Sequence, residues 1–343
     1  MVKRGDGVDY DALKRARTFL SILLNISFII LLGVLLFLIY QVYATLTAEP
    51  ESLNIELQGQ DSINPENGVS EVKQFYPNMK FNHNRISYKI NLDCSQDKKD
   101  NMIAAFNELS KNVNNLEFYP SFDNYDIEII CDKENQVDID EKHFVAGEGG
   151  AKEIIQTGKY NIINQGLILL YESSDIKTLN CNYPSVELHE LLHVFGFEHS
   201  ENKNSIMYPY LDSCRQVLDD SITILLDKLY SKENLPDLYF ENVSAVLNKC
   251  GLGSCLDFNL TIRNSGSINA ENVSFSVLDD GKLVQTRKVG AGFLEYGSGM
   301  FIEIQNFKLL HRNPSEVMFV LDYDGIIQEL DEDNNIAKAS FDR

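Results

Sequence analysis

Positive charge is scarce in this 343-residue sequence: 30 Lys and Arg stand against 51 Asp and Glu, a formal net charge of −21. Such a surface repels phosphate, which argues against nucleic acid as a partner. No cysteine precedes Cys94, and none of the six (Cys94, Cys131, Cys181, Cys214, Cys250, Cys255) has CxxC spacing, so a metal centre built of thiolates is not supported. Residues 145–150 are Gly-rich, but no Gly-Lys-Ser/Thr follows, which argues against a phosphate loop there. That stretch, with its one acid Glu148, reads as a loop on the rim of a cleft. Lys and Arg are also absent between Arg17 and Lys73.

This last gap brackets the one long apolar run. Residues 18–43 are hydrophobic almost throughout, a length that spans a bilayer as one helix. Lys3, Arg4, Lys14, Arg15 and Arg17 precede the run, so residues 1–17 are expected in the cytoplasm and everything after it outside. A cleaved signal peptide would have a shorter apolar core, and Leu46 spoils a small-x-small site ending at Ala48, so the run reads as an uncleaved signal anchor. All six cysteines lie on the exported side, an even number that suggests three disulfides. Cys250 and Cys255 are joined by closeness, since Gly251 and Gly253 can close a tight turn. Residues 44–75 have few aromatics and read as a stalk, with a cleft-covering pro-segment as the rival.

The chemistry is concentrated in residues 189–209. His189 and His193 are four apart, so on a helix their imidazoles share one face and can grip one metal ion. Glu190 sits off that face, where a carboxylate can reach a water at the metal without ligating, the place for a general base. Gly196 ends the helix and lets the backbone turn so that His199 returns to the same ion. Three imidazoles and an open position describe a catalytic zinc site rather than a closed structural one.

With HExxHxxGxxH at 189–199 and Ser205-Ile206-Met207-Tyr208-Pro209 after it, the sequence resembles the metzincin metallopeptidases, most closely their matrixin branch. The resemblance implies zinc on His189, His193 and His199, Glu190 as general base, and Met207 as the floor of the site. Pro209 stands where other branches carry a metal-touching Tyr, so Tyr208 is given no ligand role. With no cysteine ahead of Cys94, latency by a Cys–zinc bond is not supported. The resemblance also implies that Cys94 pairs with Cys131, at like ends of neighbouring strands. Cys181 and Cys214 flank the motif and are expected to bridge.

Periodicity around the motif fits an α+β domain over residues 76–232, a mixed twisted sheet with the active-site helix. Strands are expected at 86–94, 116–119, 125–131, 154–163 and 166–171, one of the last two a sheet edge open to an extended substrate. Helices are expected from Met102 to Val113, from near Ser185, and over 217–230. His83, His143 and His311 are isolated and are given no role.

Beyond residue 236, short alternating runs and Asp-Gly turns at 280–281 and 324–325 indicate an all-β immunoglobulin-like sandwich. Asn264-Ser265-Gly266 and the Asp322–Gly325 and 329–335 acid and Asn cluster resemble the CARDB-type module of prokaryotic surface proteins. The acids at 329–333 leave two readings, calcium ligands or solvated turn acids. The whole is expected to be a membrane-anchored zinc endopeptidase acting on protein or peptide substrates outside the cytoplasm. Its sandwich would position the enzyme or bind a surface partner. The alternative is a non-catalytic adhesion or assembly protein with a structural or vestigial metal site, against which the intact Glu190 argues.

Overall fold

A computed structural model describes residues 10–46, 51–52, 54–58, 72–132, 145–171, 181–211, 213–251 and 253–341. Most of the expected cytoplasmic tail, much of the expected stalk, and His143 lie outside the described residues. Helix α1 runs over Tyr10–Leu46, beyond both ends of the expected span. Within it Leu23–Tyr40 has a mean hydropathy of 2.7, and it is the one helix among the described residues long and apolar enough to cross a membrane.

Strands β1 (Glu51–Ser52) and β2 (Asn54–Leu57) follow, inside the segment expected as a stalk. The first core then forms from β3 (Met79–Lys80), β4 (Arg85–Ile90), α2 (Gln96–Asn112), β5 (Glu117–Pro120), β6 (Ile127–Asp132), β7 (Gly147–Gln156), β8 (Asn161–Tyr171), α3 (Ser185–Val194) and α4 (Asp220–Tyr230). Strands β5, β4, β6 and β8 lie side by side and parallel, and β3 pairs in parallel with the start of β8. β7 is antiparallel and, among the described residues, pairs only with β8, so the sheet is mixed and the domain α+β.

Helix α2 forms because Met102, Ala105, Phe106 and Leu109 recur on one face, which is buried, and because the Ser95 side chain accepts from the Lys98 N–H. Phe106 stacks on Tyr88 with ring centroids 4.2 Å apart, which ties the helix to β4. Phe195, just past α3 and fully buried, meets Phe81, Phe118 and Tyr230 edge-on and seats α3 on the same core.

Four expectations shift. The first strand stops at Ile90 rather than Cys94, and Leu92 beyond it is 86% exposed. The expected strand 154–163 straddles a tight turn at 157–160, because Ile154-Ile155 and Ile162-Ile163 belong to opposite arms of one hairpin. Residues 147–150 are the start of β7 and not a loop. The last helix begins at Asp220, since Val217 instead forms a parallel bridge with Ser205.

The second core is a β-sandwich. It comprises β9 (Leu238–Cys250), β10 (Gly253–Asn264), β11 (Ala270–Glu271), β12 (Ser274–Asp279), β13 (Lys282–Lys288), β14 (Phe293–Leu294), β15 (Gly299–Lys308), β16 (Glu316–Leu321) and β17 (Ile336–Ser340). One sheet has the order β1-β9-β10-β15 and the other β13-β12-β16-β17-β2, so the segment before the first core edges both sheets of the second. The Asp280-Gly281 turn joins β12 to β13, both residues at positive φ. Asp324-Gly325 also turns, but within the long connection from β16 to β17 rather than as a two-residue hairpin. Disulfides join Cys94 to Cys131, Cys181 to Cys214 and Cys250 to Cys255.

Candidate metal centre

Helix α3 is nearly all buried: Leu188, Leu191, Leu192 and Val194 are at 0% exposure, and His189 and His193 lie on its remaining strip. The helix breaks at Gly196, whose φ is +84° and where a Cβ would overlap the Met79 sulfur, so both the turn and the packing require glycine. The outgoing chain is held against residues 73–75. Phe75 N–H donates to the Gly196 carbonyl, Glu198 N–H to the Lys73 carbonyl, and the Gln74 amide to the carbonyls of Met79 and Phe195. That trajectory brings His199 back to the helix.

The Nε2 atoms of His189, His193 and His199 lie 3.0, 3.2 and 3.2 Å from one another. Tetrahedral zinc with Zn–N bonds of about 2.0–2.1 Å would set its nitrogens about 3.3 Å apart, so the donor set fits that ion. The opposite ring nitrogens face carbonyls: His189 Nδ1 is 2.7 Å from Ile206 O, and His193 Nδ1 is 2.7 Å from Phe197 O. A proton on each Nδ1 leaves Nε2 bare and aimed at the common point. Burial and the neighbouring His193 lower His189 to about 4, and burial lowers His193, which keeps both imidazoles neutral and able to ligate.

Ile206 belongs to the turn that carries Met207. The Ser205 hydroxyl donates to Asp219 at 2.6 Å and accepts from Met207 N–H, while Ser200 N–H donates to the Met207 carbonyl, and Met207 is fully buried. The Cys181–Cys214 bridge ties the chain before α3 to the chain after this turn.

Glu190 is 6% exposed. Burial, with Glu148 and Glu187 adding repulsion, raises its carboxyl to about 8, against which a Gly149 N–H bond acts. Strand β7 reaches it because Gly149 has no side chain: a Cβ there would overlap the Glu190 backbone, and one at Gly147 would lie 2.8 Å from Glu190 Cγ. Glu148, between these glycines, accepts from the Tyr171 hydroxyl at 2.9 Å.

Sequence reasoning missed Gln74 and Lys73, which fell inside the expected stalk, and Asp219. Lys73 and Gln74 are isolated polar residues in a segment without periodicity, and Asp219 was counted within the helix expected over 217–230. His83 and His311, given no role, pair with Asp126 and Asp279 at 3.0 and 3.1 Å. Asp279, Asp280 and His311 form a second compact trio, but Asp279 Oδ2 already accepts from the N–H groups of Leu310 and His311, and Asp280 Oδ1 from those of Ser315 and Glu316. No acid from 329–333 joins a metal-competent trio among the described residues. Glu329 is buried and accepts from the Leu238 N–H and the Asn335 amide, an anchor for its loop.

A sheet-and-helix domain with a convergent three-histidine centre, followed by a β-sandwich, defines the class. Residues 80–230 match the family model described as matrixin, and residues 235–339 the one described as CARDB. Both resemblances drawn from the motifs are thereby borne out, and the C-terminal unit is an all-β CARDB domain. A CARDB domain from Pyrococcus furiosus solved in complex with di-metal ions is 19% identical, covering 31% of this chain and 85% of that one, with a TM-score of 0.25. Part of a putative cell surface protein from Methanosarcina acetivorans is also 19% identical, covering 32% and 95%, with a TM-score of 0.24. No curated protein matches the sequence.

Proposed function

We propose that this chain is a membrane-anchored zinc endopeptidase that hydrolyses protein substrates outside the cytoplasm. The observation that carries the reading is the convergence of three imidazole Nε2 atoms within 3.2 Å beside a buried Glu190, inside a segment that matches the matrixins. His189, His193 and His199 would hold the ion, which when bound supplies Lewis acidity toward a water and a peptide carbonyl. Glu190 then takes a proton from the attacking water and returns it to the leaving amine, so one carboxylate acts as base and afterwards as acid. Burial raises this carboxyl, which favours the acid half of the task, while a bound dication would favour the ionised form that accepts the water's proton. The Gly149 N–H orients it.

The basic residues ahead of the apolar stretch Leu23–Tyr40 support a cytoplasmic N-terminus, with both folded cores and all three disulfides outside. Glu51 of β1 lies five residues past the helix end at Leu46. That distance is at most about 18 Å of chain, so this edge of the sandwich stays close to the end of the helix. The test is mapping of cleavage sites in unfolded protein by the full-length chain and by Glu190→Ala. Sites made by the wild type and lost in the variant are expected; equal cleavage by both defeats the mechanism.

A further inference from the structure

Asp237 lies at the junction of the two cores with its side chain 0% exposed. Burying a carboxylate is costly unless a cation and hydrogen bonds meet it. The Ser265 hydroxyl and the Asn334 amide, both from the sandwich, supply two bonds. The cation comes from the other core: Lys159 Nζ is 2.8 Å from Asp237 and 3.8 Å from Asp331. Lys159 sits at the tip of the β7–β8 hairpin, and the tip is gripped on other sides too. Thr157 Oγ1 donates to the Ser265 carbonyl at 2.8 Å, and a Cβ at Gly297 would lie 2.9 Å from the Gln156 carbonyl oxygen.

Strand β7 therefore has one end in the sandwich and the other on the proposed general base, where Gly147 and Gly149 pack on Glu190. Its own hold on that position is slight. Among the described residues it pairs with one neighbour, its pairing slips at Ala151/Glu153 and Glu153/Ile154, and three of its first four residues are glycine. Such a strand has a weakly specified register. We propose that Lys159 is a positioning residue: by pairing with buried Asp237 it lets the sandwich clamp the hairpin tip, which holds β7 in register against Glu190. The sandwich is then a working part of the peptidase and not a detachable module. This rests on the peptidase reading for its catalytic consequence but not for its structural one.

The test compares full-length wild type, Lys159→Met, Lys159→Arg and the Lys159→Met/Asp237→Asn double variant by amide exchange, zinc content and cleavage of unfolded protein. In Lys159→Met, exchange at residues 147–151 should rise about tenfold and cleavage should fall about tenfold, with zinc content kept. Lys159→Arg keeps the cation and should stay near wild type. The double variant removes the unpaired buried charge and should recover in part, which also covers the case that Lys159→Met folds poorly. Faster exchange at 156–160 with none at 147–151, in either variant that lacks the lysine, overturns the proposal. A wild type that cleaves nothing sinks the peptidase reading alone, because the exchange result still decides the clamp.

Discussion

Glu329→Gln should remove a loss of stability that the wild-type chain suffers as pH rises. Glu329 is 6% exposed, accepts from the Leu238 N–H and the Asn335 amide, and is raised by burial first, then by Glu332 and Asp237, from 4.5 to about 8. Between those values the folded chain keeps the proton and the unfolded chain has released it, so the folded state binds more protons. Stability then falls with rising pH: the contribution is fully present below 4.5 and is lost as pH climbs to about 8. Each pH unit of that interval is worth about 1.4 kcal/mol, which bounds the loss at roughly 5 kcal/mol. Gln keeps the shape and an acceptor for Leu238 but cannot ionise. Thermal unfolding of both chains by circular dichroism from about pH 4.5 to about pH 8 measures the difference, and titrating groups not coupled to Glu329 cancel in it. The wild type should lose several kcal/mol relative to the variant across the window, whereas parallel curves would refute the buried-acid account.

Three further substitutions follow from the packing. Replacing Cys94 and Cys131 by Ser opens a loop closed across 37 residues and should cost about 4 kcal/mol, read as a lower unfolding midpoint. Phe195→Ala removes a fully buried ring that touches Phe81, Phe118 and Tyr230 and should cost about 3–5 kcal/mol by the same measurement. Gly196→Ala puts a side chain at φ +84° against the Met79 sulfur, three residues before His199, and should weaken zinc affinity in a competitive titration; unchanged affinity would contradict the role of that turn.

The centre was legible because its chemistry is local. His189, Glu190, His193, Gly196 and His199 sit at fixed offsets on one helix and its exit turn, so spacing alone brings them together. Helix α2 was legible for the same reason, through Met102, Phe106 and Leu109. What holds the centre in place was not, because it arrives from far along the chain. Gln74 reaches Phe195 across 121 residues, and Lys159 reaches Asp237 across 78. Residues 147–150 illustrate the ambiguity of glycine: read as loop punctuation, they are strand, and side chains are missing because helix α3 comes too close. The pairing of residues 51–52 and 54–57 with the sandwich left no trace either, since two- and four-residue edge strands carry almost no periodic signal.

Metal dependence tests the central claim most directly. The full-length chain, stripped with a chelator and titrated with zinc, should bind one ion per chain and regain cleavage of unfolded protein in proportion to it. His193→Ala should bind no zinc at that centre and cleave nothing, and Glu190→Ala should bind zinc without cleaving. Cleavage that survives complete removal of the metal, or a wild-type level of cleavage by the zinc-loaded Glu190→Ala chain, would contradict the account.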